Sequence, residues 1–114
     1  MPMQPSPPEL IERFGQVLAH FPAAEPRKMF GYPAAFVGGN LATGLFGDGW
    51  MARLPAAVLV AALGSGEAHP FQPMPGRAMT GYAMLAPDIV ADDARILDWV
   101  ARAITYTASL PPKK

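Results

Sequence analysis

The chain carries two histidines: His20 has no carboxylate at a helical or strand interval, and His69 has only Glu67, two residues before it. A metal site needs several such ligands converging on one point. Asp48, Asp88, Asp92 and Asp93 offer oxygen donors, but their neighbours read as a turn and as helix starts, where aspartate serves the backbone. Cysteine is absent, which excludes thiolate zinc sites, disulfides and cysteine nucleophiles together. Ser6, Ser65 and Ser109 fall before a proline pair, in a glycine-flanked loop and at a helix end. None lies in the strand-to-helix turn that exposes a nucleophilic serine. The run Gly44-Leu45-Phe46-Gly47-Asp48-Gly49 is glycine-rich but opens a strand, so no helix N-terminus is aimed at a phosphate. The expectation is a protein without catalytic residues, metal or cofactor.

Binding chemistry remains. Arg27, Lys28, Arg53 and Arg77 are the residues for an anion or nucleic-acid contact, with Tyr32, Phe36 and Trp50 as stacking partners. Nine basic residues balance nine acidic ones, giving a net charge of zero. A phosphate-binding domain normally carries a basic surplus. The balance is assembled at the two ends: from Met29 to Pro87 the charged residues are Asp48, Arg53, Glu67 and Arg77 alone. A sheet so poor in charge either has both faces covered or offers an apolar face to a partner. Phe36, Phe46, Trp50, Met51 and Tyr82 are the residues for such a partner face, and a homodimer is one way to occupy it.

The elements that must position these residues are legible in outline. Ser6-Pro7-Pro8-Glu9 supplies a hydroxyl cap, a proline at the first helical position and a Glu three residues after Ser6. Leu10, Phe14, Val17, Leu18 and Phe21 then recur at helical spacing, and Pro22 ends the helix. Ala34 to Val37, Leu41 to Phe46 and Trp50 to Leu54 are short strands separated by Gly38-Gly39-Asn40 and Gly47-Asp48-Gly49, the punctuation of antiparallel hairpins. In the last of them Trp50, Ala52 and Leu54 face one way, and Met51 and Arg53 the other. Lys28 to Phe30 is an optional extra strand. Pro55 starts a short helix that Gly64 stops, and Gly64 to Gly76 reads as a long surface loop. Ala78 to Leu85 is a further strand with Thr80, Tyr82 and Met84 on one face. The closing helix has Asp92 or Asp93 as its cap, a stripe of Leu97, Val100, Ala101, Ile104 and Ala108, and an ion pair from Asp98 to Arg102. The whole predicts an α+β domain of two layers, an antiparallel sheet of four to five strands with helices on one face.

The 114 residues, 51% of them hydrophobic, suffice for one core, so residues 1–114 read as one domain with a ragged stretch at 1–7. Met1 to Pro8 lacks the basic start and apolar core of a targeting signal. Leu54 to Leu63, the longest apolar stretch, is about half of a ~20-residue membrane span. These features predict a protein of the cytoplasm with no membrane contact.

An ordered series of short motifs runs through the last three-quarters of the chain. It comprises Arg27-Lys28-Met29-Phe30-Gly31-Tyr32, Ala35-Phe36-Val37-Gly38-Gly39-Asn40-Leu41, Leu45-Phe46-Gly47-Asp48 and Trp50-Met51-Ala52-Arg53-Leu54-Pro55. Pro70-Phe71, Pro75-Gly76-Arg77-Ala78-Met79, Tyr82, Trp99 and Ala108 to Lys113 continue it. In this series the chain resembles the N-terminal domain of the TfoX/Sxy competence-regulator family, from about Arg27 to Lys113. The resemblance implies a bacterial cytoplasmic protein of two-layer α+β fold that acts by interaction rather than catalysis. Its partner would be a protein, a transcriptional activator in the named regulators. Those regulators carry a further helical C-terminal domain with no counterpart in these residues, and the family supplies no catalytic residue to carry over.

Overall fold

The computed structural model describes residues 5–29, 31–72 and 80–112. The hairpin punctuation produces strands β1 (Glu25–Met29), β2 (Tyr32–Val37), β3 (Asn40–Phe46) and β4 (Gly49–Arg53), joined in order as an antiparallel meander. Val37 pairs with Asn40 across Gly38 and Gly39, whose φ values of 59° and 81° give the tight turn its left-handed backbone. β5 (Ala68–Pro70) and β6 (Tyr82–Leu85) complete a six-stranded sheet of order β1-β2-β3-β4-β6-β5. The sheet is thus one strand larger than the upper expectation. β5 arises inside the stretch read as a loop, because a three-residue strand carries too little periodicity to be seen. The optional strand around Lys28 lies at β1, beginning at Glu25.

Four helices are present among the described residues: α1 (Pro8–Leu18), α2 (Ala56–Ser65), α3 (Pro87–Ala91) and α4 (Asp93–Ala108). Phe14 and Val17 of α1, Ala62 of α2, Ile89 of α3 and Ile96, Trp99, Val100, Ala103 and Ile104 of α4 share one buried cluster with Ala35, Val37, Leu45, Trp50, Ala52, Ala83 and Leu85 of the sheet. A second buried cluster, on the opposite face, consists of Ala34, Leu41, Met51 and Phe71 and contains no helical residue. All four helices therefore pack on one face, as the order of the elements predicts. β4 also keeps its alternation, with Trp50 and Ala52 in the first cluster and Met51 in the second.

Several local expectations change. Ser6 does not cap α1: its hydroxyl donates to the Gly47 carbonyl oxygen at 2.7 Å, Pro7 is the N-cap residue, and Pro8 has no N–H that needs satisfying. This tie lies inside the stretch read as ragged, and Ser6 is only 6% exposed. α1 ends at Leu18, before Phe21 and Pro22. α2 runs through Gly64 to Ser65 and is closed by Gly66 in the left-handed conformation, φ 81°. In α4 the buried stripe is Ile96, Trp99, Val100, Ala103, Ile104 and Thr107, so Leu97, Ala101 and Ala108 lie at its margin or beyond it. Trp99, the largest side chain of the helix, sets that rotation. The cap and ion pair are as expected: Asp92 accepts from the Arg95 amide, and Arg102 Nη2 stands 2.9 Å from Asp98 Oδ2.

α1 is fastened by charge as well as by burial. Arg13 Nε donates to the Val90 carbonyl oxygen at 2.7 Å, and Nη1 meets Asp93 Oδ1 at 2.7 Å, joining α1 to α3 and to the start of α4. At the sheet margins, the outer strands β1 and β5 each contain a proline, Pro26 and Pro70. Each removes a donor from an edge strand, a device that discourages edge-to-edge pairing.

Candidate partner-binding surface

The helix-free face of the sheet gathers most of the residues expected to bind. Antiparallel register sets Phe36 opposite Leu41 and Arg53 opposite Tyr82, while Arg27 pairs with Ala34. The Arg27 guanidinium lies 5.6 Å from the Phe36 ring centroid, and that of Arg53 lies 5.3 Å from the ring of Tyr82. Both are cation–π contacts in which the flat cation covers part of an aromatic ring. Arg27 is also held by Glu25, Nη2 to Oε1 at 2.9 Å.

Arg53 Nη1 donates to the Tyr82 hydroxyl at 3.2 Å, and that hydroxyl donates to the Leu41 carbonyl oxygen at 3.2 Å. Burial pushes the Tyr82 phenol above the usual tyrosine pKa, against the opposing pull of the Arg53 charge and hydrogen bond. The chain Arg53–Tyr82–Leu41 therefore ties β4, β6 and β3 together at one end of this face. At the other end Phe46 lies between Tyr32 and Phe71, with ring centroids 5.1 and 5.3 Å away. Phe46 and Tyr82 stay half-buried, as do Phe36 and Met84, and all four pack against the second cluster.

Two members of the expected face are elsewhere or covered. Trp50 is 0% exposed and points into the helix side, its ring 5.0 Å from that of Phe14. Its indole Nε1 donates to Thr43 Oγ1 at 2.8 Å, and Thr43 Oγ1 donates to the Met51 carbonyl oxygen at 2.6 Å. An aromatic residue at the head of a strand reads the same from either side, and alternation places this one inside. Met51 is on the helix-free face but only 2% exposed, because it belongs to the buried cluster that includes Phe71. Lys28 is separated from Arg27 by the same alternation. It pairs with Pro33 and shares the helix-side face with Pro26. Arg77 lies outside the described residues, as do Phe30 and the first residues of the expected strand from Ala78.

Arg13 was not singled out in the sequence, and Phe71 entered only through the motif series, not as a binding residue. Phe71 stands between prolines in a stretch without periodicity, and only the fold shows it lying against the sheet. Arg13 borders a cavity of about 480 Å³ together with Asp48 and His69. His20 lines a different recess, with Arg13 and Asp93. Among the described residues no three His, Asp or Glu side chains converge as a metal ion would require. No described helix is long and apolar enough to cross a membrane.

Fold and surface together define a two-layer α+β domain whose helix-free sheet face is edged by arginine-covered aromatic rings. The family model of the TfoX N-terminal domain matches residues 16–106, and the chain belongs to that family. No curated protein and no solved structure matches the chain.

Proposed function

We propose that this domain is a non-enzymatic protein-interaction module of the bacterial cytoplasm that contributes to transcriptional regulation, with a transcriptional activator as its partner. The observation that carries this reading is the helix-free face, where Phe36, Phe46, Tyr82 and Met84 remain half-buried around a closed apolar centre. Aromatic residues and arginine are the side chains that dominate binding energy at protein interfaces. Family membership supports the same class of function. A homodimer formed through this face fits the proline-blocked sheet edges, which leave faces rather than edges for association.

The test is light scattering combined with affinity capture from the native host, using the wild-type chain, Phe36→Asp and Tyr82→Asp. A dimer or a captured activator lost in both variants is the expected outcome. A strict monomer that captures nothing refutes the reading.

A second reading is a single-stranded nucleic-acid surface, favoured by Arg27 and Arg53 lying over aromatic rings on one face. It requires binding that falls steeply with salt and with Arg53→Ala. An absence of binding to DNA and RNA at low salt removes it.

A further inference from the structure

A groove of about 410 Å³ opens on the other side of the sheet, between α1 and the β1–β2 hairpin. Ile11, Phe14, Gly15 and Leu18 of α1 form one wall, and Pro26 and Pro33 form the other. Phe14 closes the bottom at 4% exposure, whereas Ile11 on the rim is 42% exposed, one of the few large apolar side chains left in water. At Gly15 a Cβ would meet nothing within 4 Å, so the wall is hollowed at its middle.

Two features specify what fits. Met29 and Tyr32 flank a two-residue loop and so exchange the hydrogen bonds that close the hairpin. The alternation then turns the backbone groups of Pro26 and Lys28 outward, and Pro26 has no N–H to offer. An extended peptide adding to β1 would find the Lys28 N–H but no donor at Pro26, whereas a helix needs none from the edge. The second feature is charge. Lys28 shares the face of Pro26 and Pro33 beside the groove, and among the described residues it makes no ion pair or hydrogen bond. Arg27, its neighbour, is already held by Glu25.

We propose that this groove is a docking site for an amphipathic helix of a partner protein, seated by apolar residues and carrying an Asp or Glu toward Lys28. Ile11 to Leu18 spans about two helical turns, the reach of anchors at i, i+3 or i+4, and i+7. Gly15 lets the visiting helix approach α1 closely. The groove opens beside α1 and is also bordered by Arg27 and Ala34 of the other face, but not by Arg53 or Tyr82, so Tyr82→Asp separates the two surfaces.

The experiment is selection from a displayed library of peptides of about 16 residues, some four helical turns. The full chain is the target and Gly15→Phe the counter-target. Gly15→Phe fills the groove, and because the position is open it folds with an unchanged or higher melting temperature. Enriched peptides are expected to show apolar residues at i, i+3 or i+4, and i+7 with a flanking acid. They should lose at least about tenfold in affinity to Gly15→Phe and about fivefold to Lys28→Glu, while Tyr82→Asp leaves them unchanged. Failure to enrich any peptide over the Gly15→Phe counter-target overturns the proposal, as does enrichment of basic or proline-rich extended sequences.

Discussion

Replacing Thr43 by Val tests whether Trp50 is an interior residue rather than a partner contact. The two side chains have nearly the same shape, so no cavity opens, but the hydroxyl that accepts from Trp50 Nε1 at 2.8 Å and donates to the Met51 carbonyl at 2.6 Å is gone. Thr43 and Trp50 are both 0% exposed, so water cannot take over. An orphaned buried donor costs roughly 1–3 kcal/mol, and a central expectation is about 2 kcal/mol. For a chain of this length that lowers the thermal midpoint by roughly 8 °C. Urea denaturation followed by tryptophan fluorescence and circular dichroism measures it. The decisive control is Trp50→Phe, which removes the N–H. In the double variant the orphan no longer exists, so the two changes together should cost at least about 1 kcal/mol less than their sum. A Thr43→Val protein within about 0.5 kcal/mol of wild type, or strict additivity, refutes the reasoning and returns Trp50 to the list of surface candidates.

Gly15→Ala should stabilise the domain by about 0.5–1 kcal/mol, since it sits within α1 with open space around it; a loss of stability on denaturation would contradict this. Asp92→Ala removes the cap on the Arg95 amide and should cost about 1 kcal/mol, readable in the same denaturation curves. Tyr82 titrates above its unfolded-state value because it is buried, so its contribution to stability is complete below about pH 10 and is lost as pH rises through the higher folded value. Ultraviolet titration should show a late tyrosinate that Tyr82→Phe abolishes, and that variant should resist alkaline unfolding better than wild type.

The meander and the closing helix were readable because both follow simple periods. Gly38-Gly39 and Gly47-Asp48 mark hairpins whatever surrounds them, and the Asp92 cap needs only its own helix. β5 was missed because three residues ending in Pro70 give no alternation, and its strand character comes from Ala68 and His69 pairing with Leu85 and Met84. The faces were harder. A bulge shifts the β2–β3 register at Ala35/Phe36 and leaves Ala42 without a partner on β2, so Ala42 and its neighbour Thr43 both face the helix side and the alternation counted from Leu41 is broken. The candidate surface was half legible. Phe36, Phe46 and Tyr82 lie where the pattern placed them, but the sign of the face at Trp50 and the cover that Phe71 provides over Met51 depend on contacts distant in sequence. The α1 groove left no signal, because Gly15 in a helix reads as a weakness rather than as space.

Arg13 has a consequence for how the molecule opens. α4 buries six residues, whereas α1 buries Phe14 and Val17, packs Leu10 and Leu18 only partly, and adds the polar tie of one guanidinium. The ion pair to Asp93 reaches a side chain that is 87% exposed, so salt weakens that attachment while leaving the apolar core of α4 untouched. The amides of α1 should therefore exchange with solvent faster than those of α4, by a local opening below the global unfolding energy. Ionic strength would then set how often one wall of the helix-side groove is in place.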